Sequence, residues 1–180
     1  LEGKAVALTV DRHNDHRRTA VIGAGASSDF DFAWCGWANA TRILCGYWGV
    51  VRADVLQRES RLIAVNADGS ASKTFQNWTV DIPFFDGFAP TQDRIIDFNT
   101  GARDKVLIQL ATEWGGYPAV LELDVYNGHV RVRDEPQPPI QEFASDGRGK
   151  VRLGHGPRDK RVFYYVRLQG DQTWREWGRV

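Results

Sequence analysis

A short hairpin pattern occurs three times in this chain, and that recurrence restricts the fold more than any other feature of the sequence. Residues 61–75 read RLIAVNADGSASKTF, an apolar run followed by an Asp68-Gly69 turn and a polar strand that closes on Phe75. Such an order specifies a β-hairpin, because glycine reaches the positive φ that a tight turn needs while strand formers flank it. Residues 119–133, AVLELDVYNGHVRVR, repeat it with Asn127-Gly128 in the turn. Residues 161–177, RVFYYVRLQGDQTWREW, do so with Gly170-Asp171. A chain that reuses one hairpin is assembled from repeats.

Each hairpin has a partner upstream. Trp34 to Arg42, Phe98 to Lys105 and Phe143 to Lys150 are each an aromatic, a turn of Gly, Asn or other polar residues, and a basic residue that opens an apolar strand, seven or eight positions apart. The unit therefore offers four strands, two in this arch and two in the hairpin. Four antiparallel strands at a period of roughly 40 to 60 residues are the content of a β-propeller blade. The expected architecture is all-β, a partial β-propeller of about three to four four-stranded antiparallel blades in one domain over residues 1–180. A partial blade occupies 4–24, and full units occupy 30–75, 95–133 and 140–177. Residues 48–60 read as an excursion between strands, and 76–92, broken by Pro83, Gly87 and Pro90, as a connection between units. No segment has the periodicity of a helix. The competing architecture is a β-sandwich with similar hairpins.

Composition narrows the function classes. Twenty-three basic and 23 acidic residues cancel, so no global field recruits nucleic acid or an anionic membrane. No apolar run approaches the roughly 20 residues of a membrane-spanning helix, and the first ten residues lack the layout of a signal peptide. Compartment stays open between cytoplasm and periplasm. Methionine is absent and the chain enters a strand-like run from Leu1; both suggest a fragment or a processed product. A propeller with fewer than about four blades stays unclosed, and its open strand edges invite self-association. Cys35 and Cys45 are too few for a disulfide scaffold or a zinc site. They read first as small buried hydrophobes, and a hairpin pairing symmetrically around Asn39 would instead bring them together as a disulfide.

In order along the chain, FDFAWCGWANATRILC, RLIAVNADGS, DKVLIQL, AVLELDVYNG and GKVRLGHGPRDKRVFYYVR with TWREW are similar to the N-terminal β-propeller of prolyl oligopeptidase-like serine peptidases, the S9 family. The resemblance spans essentially the whole chain. It implies a non-catalytic domain that gates and orients peptide substrates for a separate α/β-hydrolase domain, with the peptide and that domain as partners. No catalytic residue carries over: a nucleophile elbow requires Gly-x-Ser-x-Gly, and none of Ser27, Ser28, Ser60, Ser70, Ser72 or Ser145 lies in that pattern. The alternative function is an independent module that binds a protein or a glycan.

Aromatic loops supply the candidate contact residues for either function. Trp78 and Phe85 lie in the 76–92 connection, and Trp114 and Tyr117 flank Gly115-Gly116; amphipathic rings in loops anchor a peptide or a partner domain at small entropic cost. Blade-to-blade packing uses the same residue types. Asp11, His13, Asp15 and His16 form the densest set of metal-ligand types, yet their polar setting beside Arg12, Arg17 and Arg18 fits a solvated hairpin tip better. No metal and no cofactor is assigned. Asp81, Asp86, Asp93 and Asp97 could provide an acid/base pair, and turn formation accounts for them equally well. Lys150, Arg152, Arg158, Lys160 and Arg161 make a local basic stretch whose alternation with Val151 and Leu153 marks a solvated strand face rather than a nucleic-acid site. His129 and His155 are read as structural.

Overall fold

A computed structural model describes residues 7–10, 18–22, 30–52, 56–75, 89–111 and 116–180. Every element in them is a β-strand. Strands β1 (Ala7–Val10) and β2 (Arg18–Ile22) form a two-stranded antiparallel sheet. Three four-stranded antiparallel sheets follow, each built from consecutive strands in consecutive order. The chain divides into two compact units, residues 1–76 with Thr91–Asp93, and residues 77–90 with Arg94–Val180.

In the first unit, β3 (Phe30–Trp37), β4 (Arg42–Arg52), β5 (Leu56–Asn66) and β6 (Lys73–Phe75) make one sheet. Its closing turn forms as the sequence demands, with Gly69 at φ 83° donating its N–H to the Asn66 carbonyl while the Asp68 carboxylate accepts from both the amide and the hydroxyl of Ser70. Ionisation of Asp68 is favoured by the Ser70 hydroxyl first and the Ser70 amide second, which lowers its pKa. Alternation along β4 and β5 sorts side chains onto two faces. Phe30, Ile43, Cys45, Tyr47, Ile63 and Val65 cluster on one of them.

Two expectations change here. Residues 48–60 are not an excursion: the β4–β5 ladder continues in unbroken register from Trp48↔Ser60 to Arg52↔Leu56. The exposed Val50, Leu56 and Arg58, all on one face of the ladder, hide this strand in a hydropathy reading, while Val51 on the other face packs partly buried against the core. The Arg58 guanidinium lies 4.5 Å from the Trp48 ring centre and so covers one aromatic face of the extension. Cys35 and Cys45, the second case, are cross-strand partners in a hairpin that turns about Ala40, and they form a disulfide with Cα atoms 4.1 Å apart. Direct opposition across two antiparallel strands places the sulfurs within bonding reach.

The second unit contains two sheets, β7 (Ile95–Asp97) to β10 (Val130–Asp134), and β11 (Glu142–Ser145) to β14 (Arg175–Arg179). Between them run β8 (Lys105–Leu110), β9 (Ala119–Asp124), β12 (Val151–Arg158) and β13 (Arg161–Val166). The two sheets share one apolar core, with Leu107 and Val120 from the first meeting Phe143, Val151, Phe163 and Tyr165 from the second. Polar ties reinforce that packing. Gln109 donates its side-chain amide to the Gln141 carbonyl at 2.9 Å and accepts the Phe143 N–H at 2.8 Å. Asp97 accepts from the backbone of Asn99 at 2.8 Å and Gly149 at 2.7 Å, and Asn99 donates to the Gly147 carbonyl.

The basic residue of the arch has a defined partner in two sheets. Arg42, 1% exposed, stands opposite Asn66 and donates to its side chain and to the Ala71 carbonyl. Lys105 stands opposite Asp124 and pairs with it at 3.2 Å. Lys150 breaks the series: β12 starts after it, and its ammonium makes no hydrogen bond or ion pair among the described residues.

Candidate functional site

The second unit holds a cavity of about 310 Å³ walled by β10, the start of β12 and the hairpin after β13. Four cationic side chains line it, Arg133, Lys150, Arg152 and Arg167, together with the carboxylates Asp134 and Asp171. Strand alternation accounts for the arrangement, since Arg152 and Arg167 face one another across the β12–β13 register, where the Arg167 amide bonds the Arg152 carbonyl. Arg133 and Asp134 arrive from the end of the neighbouring sheet.

Three of the cations are fixed by partners of their own. The Arg167 guanidinium closes on Asp134 with both terminal nitrogens, the Nη2–Oδ2 bond being 3.0 Å, and also donates to the Val151 carbonyl. Its plane lies 4.8 Å from the Trp174 ring centre. Arg133 pairs with Glu122 at 2.5 Å. Arg152 donates to the Leu168 carbonyl at 3.1 Å and lies 3.6 Å from Asp146. Burial alone would raise the pKa of Asp146, but amide bonds from Arg148 and Lys150 and the charge of Arg152 outweigh it and hold the pKa low. Asp171 is 3.0 Å from Arg175. Lys150 is the one cavity cation with nothing to neutralise it among the described residues.

Of the contact residues expected from sequence, Trp78, Phe85 and Trp114 lie outside the described residues, as do the His13 and His16 loop, Asp81 and Asp86. Tyr117 is 41% exposed. Asp93 and Asp97 act as hydrogen-bond acceptors in turns and connections. Asp93 takes the Trp34 indole N–H at 3.0 Å and the Ser60 hydroxyl at 2.6 Å, and the Ser60 oxygen accepts the Gln92 amide at 2.8 Å. The basic stretch separates in space: Lys150 and Arg152 sit at one end of β12, while Arg158 at the other end pairs with Glu176 at 2.7 Å and covers the Phe163 ring. Lys160 and Arg161 belong to that far turn, roughly 25 Å away along an extended strand of this length. His155 lies 3.3 Å from Glu142. Sequence reasoning passed over Arg133, Asp134 and Arg167, which are ordinary members of alternating strands and meet only through sheet packing.

The first unit has a smaller cleft of about 100 Å³ lined by Leu8, Cys35, Trp37 and Ile43, with no charged side chain in its wall. Among the described residues no group of three or more His, Cys, Asp or Glu side chains is placed to hold a metal ion. No family model, curated protein or solved structure compared with this chain matches it.

Proposed function

We propose that this chain is a propeller segment of an S9-like serine peptidase, non-catalytic in itself, that gates and orients peptide substrates for a separate α/β-hydrolase domain. The observation that supports it most is the threefold use of one unit, a four-stranded antiparallel sheet in sequential strand order, together with the ordered resemblance of the repeat motifs. The lack of Gly-x-Ser-x-Gly in this sequence agrees with a role in access rather than bond cleavage.

An antibody raised against this chain supplies the test. The protein it captures from source cells should react with a fluorophosphonate probe, while the recombinant 180-residue chain should not. A captured protein that never labels overturns the peptidase reading and favours an independent binding module. Labelling of the recombinant chain overturns the non-catalytic role.

A further inference from the structure

We infer that the cavity bounded by Arg133, Lys150, Arg152 and Arg167 is a binding site for a small anion carrying carboxylate or phosphoryl oxygens. Charge is the first reason. The four lining cations and two lining carboxylates, taken with Glu122, Asp146 and Arg175 that pair with Arg133, Arg152 and Asp171, leave one uncompensated positive charge, that of Lys150, although the chain as a whole is neutral. An uncompensated charge in a concave wall concentrates counter-ions more than the same charge on a flat surface does.

Preorganisation is the second reason. Arg167 is held by Asp134 and the Val151 carbonyl, Arg152 by the Leu168 carbonyl, and Arg133 by Glu122. Each guanidinium carries five N–H donors, more than these contacts consume. The spare donors are therefore fixed in place before any ligand arrives, which lowers the ordering cost of binding. Of the lining carboxylates, Asp134 is hydrogen-bonded by Arg167, and Asp171 lies 3.0 Å from Arg175 in a charge contact without a hydrogen bond at its Oδ2.

Lys150 is the third reason. In the other two sheets the arch cation is consumed by Asn66 or Asp124, whereas Lys150 stands at the cavity wall with a full charge and three donors available. The volume, about 310 Å³, suits a ligand the size of a dicarboxylic acid or a small phosphorylated molecule and lies at the lower end of small-molecule pockets.

Titration calorimetry with inorganic phosphate and with succinate, both in buffer of matched ionic strength set by chloride, tests the assignment. At least one probe should saturate with one site per chain and a Kd of about 1 mM or tighter. Lys150→Gln should weaken it about tenfold, the value of one charge-assisted contact. Lys160→Gln removes the same charge at the far turn and should leave binding unchanged. Saturation by phosphate alone identifies a phosphoryl ligand, and by succinate alone a carboxylate ligand. Absence of saturable binding by either probe, or equal binding in wild type and Lys150→Gln, overturns the site. The Lys150 side chain is exposed and makes no hydrogen bond or ion pair among the described residues, so the variant keeps the fold, and these outcomes are independent of whether the source protein is a peptidase.

Discussion

Trp34 and Gly46 are cross-strand partners, and the indole lies over the glycine in the space where a side chain would stand. A Cβ at Gly46 would overlap the indole ring and come within 2.8 Å of the Asp93 carboxylate. The ring is held there by its N–H bond to Asp93, which also takes the Ser60 hydroxyl. Glycine in a central strand is a packing cost unless an aromatic neighbour covers it, as Trp34 does here.

Gly46→Ala should therefore displace the indole and strip Asp93 of one donor. Overpacking plus the lost bond lower stability by about 2–4 kcal/mol. The urea midpoint should fall at unchanged m-value. An unaltered midpoint would mean that the indole does not occupy this position.

Gly156 in β12 and Gly178 in β14 make a contrasting pair in one sheet, with β13 between them. A Cβ on Gly156 would overlap the Pro139 carbonyl, which is backbone and cannot swing aside, whereas a Cβ on Gly178 meets nothing within 4 Å. Gly156→Ala should cost about 3 kcal/mol or more. Gly178→Ala should be neutral to stabilising by about 0.4–1 kcal/mol, because alanine loses less chain entropy on entering a strand. Thermal unfolding of the two variants side by side reads both, and equal Tm values would contradict the packing assigned to β12.

Tyr47, 2% exposed, packs edge-on against Phe32 at 5.9 Å, and its hydroxyl finds no hydrogen-bond partner among the described residues. Burial raises its pKa, since the phenolate would lose its hydration there. Removing an unpaired buried hydroxyl recovers its desolvation cost, so Tyr47→Phe should stabilise by about 1 kcal/mol or more. A lower urea midpoint in the variant would show instead that the hydroxyl is satisfied in solution.

The hairpin turns were legible because each is decided by a few adjacent residues. Gly69, Gly128 and Gly170 adopt φ values of 83°, 80° and 89°, the conformation for which Asp-Gly, Asn-Gly and Gly-Asp are selected. Strand content and the recurring four-strand sheet followed from the same local chemistry. What stayed hidden depends on partners distant in the chain. Arg167 meets Asp134 from 33 positions away, and Trp34 meets Asp93 from 59. Neither residue of such a pair carries a local mark, since Arg and Asp in an alternating strand read as solvated. The β4–β5 extension was missed for a related reason. Its pairing is specified by register with Trp48 through Arg52, and hydropathy records only that one face of its outer part is exposed.

Acid should act on the turn that follows β9. Burial opposes ionisation of Asp124, but the amides of Asn127 and Tyr126 and the charge of Lys105 outweigh it, so its folded pKa lies below the ordinary 3.8. The unfolded chain then binds a proton more readily than the folded one. The stabilisation from Asp124 is complete above the unfolded value and is lost as pH falls through the folded one. Urea midpoints measured from pH 6 down to about pH 2 should decline in this window, and the decline should be shallower in Asp124→Asn, which cannot titrate. Parallel curves for the two proteins would rule out this linkage.

Reduction tests the covalent tie in the first sheet. The two sulfurs lie on one face of the sheet, where Cys45 is fully buried but Cys35 is exposed at the apolar cleft beside Leu8 and Trp37, so the Cys35 sulfur is accessible to a thiol reagent. The bond closes a loop with a sequence separation of 10 residues. Restricting the unfolded chain over so short a loop is worth about 2–3 kcal/mol at 25 °C. Because β3 and β4 already pair across seven register positions, from Phe30↔Gly49 to Trp37↔Ile43, the strands have other contacts to keep them together when the bond is cut. Dithiothreitol should thus lower the urea midpoint by the equivalent of that energy while leaving the far-ultraviolet spectrum of the native baseline unchanged. The variant Cys35→Ala, Cys45→Ala should match the reduced protein and show no further response to reductant. Collapse of the β spectrum on reduction in the absence of urea would instead make the bond a requirement for the fold of this unit rather than a supplement to its ladder.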